Sequence, residues 1–349
     1  MTRPINIATI VALSLMLSVP SGSDAWAQSL PTKSEAADLL QKAGLATNLR
    51  ADDAPPFHLV AQIHYELGGQ STEGAYELSW ASPDKYREEF RMERAAEVEL
   101  AAGDKLYVLR NTQGTSLPYW TVRSTLRSFK NAFPGPKSKI KKVYADKVGA
   151  ELLTCMDFGE EFSPKQACVS PDTNGLVSLD SGHLLRGPAS GTAEELKHLD
   201  NISLTEFMDV GEKRYPTRIH LELFDEKLEI KIQTLAQVTT FAEGLFTPPT
   251  GAVEYDWCSS PIEKGSKQID NEPLLQQEPP GVAVAYYVLI GTDGRVKKWA
   301  PSSSGGKYVD EREGTRLRDA MFPIHLCGSK AIEYETVLYA PTLLRSQPK

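Results

Sequence analysis

From Phe57 to Leu67 apolar and polar residues alternate. Phe57, Leu59, Ala61, Ile63, Tyr65 and Leu67 fall on one side of an extended chain, and His58, Val60, Gln62, His64 and Glu66 on the other. A helix would scatter that set around its axis, so the stretch reads as a strand with one buried face. The alternation recurs at Tyr76, Leu78 and Trp80, at Ala96, Val98 and Leu100, at Ile219, Leu221 and Leu223, and at Leu228, Ile230 and Ile232. Gly103-Asp104, Asp172 to Gly175 and Asp225-Glu226 supply turns between such runs. The pattern predicts a large antiparallel sheet whose apolar face is covered by a helix, or by a ligand around which it curls. Ahead of the sheet the spacing predicts a helix from Lys33 to Ala43, with Leu39, Leu40 and Ala43 on one side.

Three stretches of the sheet region carry a resemblance. Glu73 to Arg87 (EGAYELSWASPDKYR), Ala167 to Val177 (ACVSPDTNGLV) and Phe207 to Pro216 (FMDVGEKRYP) make the run from Phe57 to Gln237 similar to the lipoprotein-carrier half-barrels of the LolA type. That resemblance implies a curved antiparallel sheet around an apolar concavity able to take acyl chains.

The end of the chain has a second pattern. Val282 to Ile290 is a nearly continuous apolar strand, Gly291 to Gly294 is a turn, and Arg295 to Trp299 returns from it. Asp310 and Glu313 have capping-box spacing ahead of a helix whose Leu317, Ala320 and Met321 share a face, and Ile332 to Ala340 gives a third strand. This β-β-α-β order, with Val282, Val284, Asp293-Gly294, Val296, Ser303-Ser304-Gly305, Val309-Asp310 and Phe322-Pro323, resembles the C-terminal domain of TonB-type proteins. The resemblance implies that the final strand accepts an extended segment of an outer-membrane receptor, as an exposed sheet edge can. By position, Glu335, Val337 and Tyr339 are the partner-binding candidates. Two features depart from that family. Arg312, Glu313 and Gly314 stand where its helix is richer in Ala, and no long Pro-rich rod or lasting membrane anchor accompanies the domain.

Arg3, the apolar run Ile7 to Val19 and Ala25-Trp26-Ala27 read as a signal peptide, residues 1–27, cleaved after Ala27. Residues 28–252 then form the half-barrel domain, 253–281 a linker marked by Pro261, Pro273, Pro279 and Pro280, and 282–349 the C-terminal domain. Export to an oxidising periplasm favours disulfides among Cys155, Cys168, Cys258 and Cys327, and three pairings are open. A hairpin reading favours Cys155 with Cys168, leaving Cys258 with Cys327.

Lys and Arg number 38 against 46 Asp and Glu, and the net charge of -8 leaves no positive excess to displace phosphate counterions, which disfavours nucleic acid. Beyond residue 27 no run approaches the roughly 20 apolar residues that a membrane helix needs. Neither a G-x-S-x-G elbow nor a P-loop nor H-E-x-x-H is present, and the cysteines lack zinc spacing, so the chain reads as non-catalytic, without cofactor or metal. His58, His64 and Glu66 form a weak polar constellation, and Lys137, Lys139, Lys141 and Lys142 a basic run suited to anionic headgroups. The expected protein is mainly β: a large curved antiparallel half-barrel with a helix, then a small α+β domain. Its expected work is recognition of an outer-membrane transport partner. The alternative is a periplasmic lipid or lipoprotein carrier that holds acyl chains.

Overall fold

The computed structural model describes residues 30–52, 54–131, 139–148, 151–158, 166–170, 175–180, 200–223, 226–259, 261–264, 283–303 and 307–341. The expected signal peptide and most of the expected linker lie outside them, as do Lys137 and the turns Asp172 to Asn174 and Asp225. The described residues from Pro31 onward belong to one compact unit.

Helix α1 (Lys33–Thr47) opens on a capping box: the Thr32 hydroxyl accepts from the Glu35 N–H at 3.3 Å, and the Thr32 N–H donates to the Glu35 carboxylate at 2.7 Å. Ala36, Leu40 and Ala43 are its buried side. A meander follows, of β1 (Phe57–Leu67), β2 (Gln70–Ser82), β3 (Lys85–Met92), β4 (Ala96–Ala102) and β5 (Lys105–Arg110). Helix α2 (Leu117–Asn131) leads into a second meander of β6 (Lys142–Val148), β7 (Glu151–Asp157), β8 (Gln166–Ser170), β9 (Gly175–Asp180), β10 (Asp200–Val210), β11 (Lys213–Leu223) and β12 (Glu226–Gln237). Strand β12 returns beside β1, and β13 (Val253–Asp256) pairs with β5, giving one antiparallel sheet of 13 strands that runs from β13 at one edge to β6 at the other. The sheet does not close into a barrel, because those two strands each have a single neighbour among the described residues.

The first strand matches its sequence pattern. Phe57, Leu59, Ala61, Ile63 and Tyr65 are buried and are joined in one core by Tyr76, Leu78, Trp80, Ile219, Leu221, Leu228, Ile230 and Ile232. The turn at Gly103 has φ 66°, where a side chain would be strained. Strand β4 departs from the expectation: Glu97, Glu99 and Ala101 line the core face, while Ala96, Val98 and Leu100 lie on the opposite one. That opposite face is also covered in part, since Arg87 donates to the Leu245 carbonyl at 3.3 Å and Lys85 lies over Phe246. A strand buried on both sides has no polar side to announce its parity.

Beyond the sheet come β14 (Ile262–Lys264), β15 (Ala283–Ile290), β16 (Val296–Ser303), helix α3 (Lys307–Asp319), β17 (Ile324–Cys327), β18 (Lys330–Ile332) and β19 (Tyr334–Pro341). They form two three-stranded sheets, ordered β16-β15-β19 and β14-β17-β18. Two corrections to the sequence expectation follow. Residues 253–256 and 262–264, assigned to the linker, are strands paired to β5 and β17, because the prolines flank these segments without interrupting them. The helix begins at Lys307, so Asp310 lies in its first turn and accepts from the Tyr286 hydroxyl at 2.9 Å rather than capping it. Gly314, a weak helix former, is needed for packing, since a Cβ there would fall 2.1 Å from the Trp299 ring.

Candidate functional site

Helix α2 covers the concave face at β3 and β4 and lays two arginines on it. Tyr119, Val122 and Leu126 fill the core at helical spacing, and Arg123 and Arg127, one turn apart, meet the glutamates of the strands. Glu88 and Glu99 face each other directly across β3 and β4, an arrangement that repels when both are ionised. Arg127 bridges them, with Nη2 2.8 Å from Glu88 and 2.9 Å from Glu99. Arg50, just after α1, donates to Glu88 at 2.6 Å and to the Tyr76 hydroxyl at 2.9 Å. Tyr119 donates to Glu88 at 3.0 Å, Tyr86 to Glu99 at 2.7 Å, and Arg123 pairs with Glu99. Burial alone would raise both carboxyls, yet the surrounding guanidiniums hold each below the ordinary carboxylate value.

Glu97 is different. It is buried, one oxygen takes Arg110 at 3.0 Å and the Thr115 hydroxyl at 3.2 Å, and the other has no hydrogen-bond partner among the described residues. Desolvation dominates Arg110 and Arg123, and its carboxyl is pushed up to about 7.

Beside this network lies a cavity of ≈ 160 Å³. Its walls include Phe57, Leu59, Leu78, Trp80, Leu126 and Trp257, with Arg50 and Arg127 at its polar side. The rings form a continuous row: Phe57 stacks on Trp80 at 6.2 Å, Trp80 on Tyr86 at 5.6 Å, and Trp257 meets Tyr86 edge-on at 5.6 Å. Arg50 sits over Trp80 at 5.5 Å. Trp257 comes from the stretch read as linker, and its backbone N–H donates to the Asp104 carbonyl at 2.8 Å.

Two of the expected partner-binding residues, Glu335 and Val337, are engaged within the chain. Arg110 makes a two-pronged pair with Glu335 at 3.2 and 2.6 Å, and Tyr287 donates to Glu335 at 2.7 Å. Val337 is buried with Leu117 and Ala285, so this face of β19 packs against the start of α2. Tyr339 pairs with Ala285 in the ladder, and β19 has one strand neighbour among the described residues. Ser302 donates to the Thr115 carbonyl at 2.9 Å, and Gly114 sits so close to Tyr287 that a Cβ would fall 2.3 Å from its ring.

His58 approaches Ser79 at 3.1 Å and Glu77 at 3.8 Å, while His64 pairs with Glu73 at 2.6 Å. The two histidines thus pair separately across to β2, and no metal-binding cluster is found among the described residues. Lys139, Lys141 and Lys142 are exposed. Cys155 and Cys168 are cross-strand partners and form a disulfide, as expected. Cys258 and Cys327 correct the second expected bridge: both are free thiols, and their mutual hydrogen bond raises the Cys327 thiol above its ordinary value.

No family model matches the chain, and no curated protein matches it. The chain is similar in fold to solved structures. A LolA superfamily protein from Nitrosomonas europaea is 12% identical, with 62% of this chain and 98% of that one covered at a TM-score of 0.38. A DUF1329 family protein from Desulfovibrio piger is 10% identical, with 62% and 98% covered at 0.38. MucB in the MucA/MucB complex of Pseudomonas aeruginosa is 12% identical, with 87% and 93% covered at 0.30.

Proposed function

We propose that this chain is a non-catalytic periplasmic carrier that holds the acyl end of a lipid or lipoprotein in the concavity of its large sheet. The observation that carries the reading is the cavity lined by Phe57, Leu59, Leu78, Trp80, Leu126 and Trp257. At ≈ 160 Å³ it is below the usual range for whole ligands and suits one chain end. The Cys155–Cys168 disulfide supports an oxidising compartment. The C-terminal domain acts as a brace, because Glu335 and Val337 are spent on contacts with the half-barrel.

Titration with dansyl-labelled laurate, read by energy transfer from tryptophan, tests the reading. Saturable binding to the full chain, lost in Leu126→Trp with its fold intact, is expected; equal binding by that variant would remove the cavity from consideration.

A second reading, recognition of an outer-membrane transport protein by strand addition, has one observation in its favour, the single neighbour of β19. It would rest on main-chain pairing alone. Capture of a β-barrel receptor from solubilised outer membrane by the full chain, and its loss in Tyr339→Pro, would support it.

A further inference from the structure

The large sheet and the small sheet of β15, β16 and β19 meet around a single guanidinium. Arg110 stands directly opposite Glu97 across β4 and β5 and pairs with it at 3.0 Å, and the same nitrogen reaches Glu335 on β19 at 2.6 Å. Two carboxylates, one from each side of the seam, therefore draw on one positive charge. The neighbouring groups do not supply a second. Arg123 of α2 pairs with Glu99 on the same strand as Glu97, and Tyr119 of α2 donates to Glu88. On the other side Tyr287 of β15 donates to Glu335 at 2.7 Å, and Tyr255 of β13 also bonds to it. Thr115 ties Glu97 to the seam again: its hydroxyl donates to Glu97 at 3.2 Å, and its carbonyl accepts from Ser302 of β16 at 2.9 Å. Of the two carboxylates Glu97 is the drier, 2% exposed against 16% for Glu335, and one of its oxygens has no hydrogen-bond partner among the described residues. It is the one that a proton neutralises at least cost.

We infer that this seam is a proton-operated clasp: a proton on Glu97 leaves Arg110 to Glu335 and fastens the small sheet to the half-barrel, and loss of that proton draws Arg110 back and loosens it. The direction follows from linkage. Docking of β19 brings Glu335 to Arg110, which divides the charge that holds Glu97 ionised and adds a like charge beside it. Docking thus makes Glu97 a better proton acceptor, and by reciprocity a proton on Glu97 favours docking. Burial first, and the Glu335 charge with it, push the Glu97 carboxyl up to about 7 against the pull of Arg110 and Arg123. The docked state therefore holds its extra proton below that value and loses it as pH rises through it. The clasp is independent of what the cavity carries, and its failure would leave the carrier reading untouched.

The test is hydrogen exchange of the full chain at pH 5.5 and pH 8, corrected for the intrinsic pH dependence of amide exchange. Protection of β15 and β19, taken relative to β1, should be about tenfold higher at pH 5.5, since one linked proton gives at most a factor of ten per pH unit. Glu97→Gln, which fixes the neutral form, should show the higher protection at both pH values. Glu335→Gln leaves Arg110 to Glu97 and should show the lower protection at both. His325 stacks on Tyr334 at the start of β19 with ring centroids 3.6 Å apart, and any pH effect of its own would persist in Glu97→Gln. The ¹³C carboxyl resonance of Glu97, assigned by its loss in Glu97→Gln, should titrate at lower pH in Glu335→Gln than in the wild-type chain. An unmoved titration would overturn the clasp. So would equal protection of the wild-type chain at the two pH values, greater protection at pH 8, or a pH difference as large in Glu97→Gln as in the wild type.

Discussion

Glu88 and Glu99 are cross-strand neighbours that would repel in a dry interior, and Arg127 is the group that touches both. Removing one partner of a buried ion pair leaves an uncompensated charge, at a cost of about 3–5 kcal/mol. Arg127→Met should therefore lower the thermal midpoint strongly, and adding Glu88→Gln and Glu99→Gln to that variant should recover much of the loss; calorimetry on the three chains checks both. Glu97 predicts the opposite pH dependence from its neighbours. Its folded carboxyl titrates at about 7 against an ordinary 4.5, so between those values the folded state holds more protons, and stability falls as pH rises through the window. Glu88 and Glu99 are held low, so their contribution is present above the ordinary carboxylate range and lost as pH falls below it. Glu97→Gln, a mimic of the protonated form, should raise the midpoint at pH 8, leave it little changed at pH 5 and flatten the profile between. A parallel profile would mean that Glu97 is ionised throughout.

At the scale of elements, the strands with one wet face were legible. β1 alternates because solvent touches one side, and five of the six residues that the period marks are buried, Leu67 at the strand end being half-buried. β4 hides its parity because both its faces are covered, and α2 gives a weak signal although Tyr119, Val122 and Leu126 carry a helical spacing. The charges of α2 conceal it: Arg123 and Arg127 look like a solvated side until the strands supply Glu88 and Glu99. The concave face was foreseen from the LolA resemblance, but its ionic half and Trp257 were not, since pairs distant in sequence leave no local signal. The disulfide was legible because a hairpin sets its register. Cys155→Ser should lower the midpoint under oxidising conditions by up to about 3 kcal/mol of stability, and have little effect in reductant. An equal loss in both would assign the effect to packing. Gly114→Ala drives a methyl into the Tyr287 ring, so it should loosen β15 and β19 from the sheet, seen as faster hydrogen exchange in 283–290 and 334–341 with β1 unchanged.

In the whole molecule, the small sheet of β15, β16 and β19 is bound to the large one through Arg110, which lies between Glu97 and Glu335 and over Tyr287 at 5.3 Å. Contacts of this kind use the side chains of Glu335 and Val337, two of the three that strand addition would have presented. The most direct measurement is organic extraction and mass spectrometry of the full chain purified from the periplasm, beside Leu126→Trp purified in parallel. The account predicts stoichiometric acyl-bearing lipid from the first and almost none from the second. Lipid in equal amounts from both, or none from either, would contradict it.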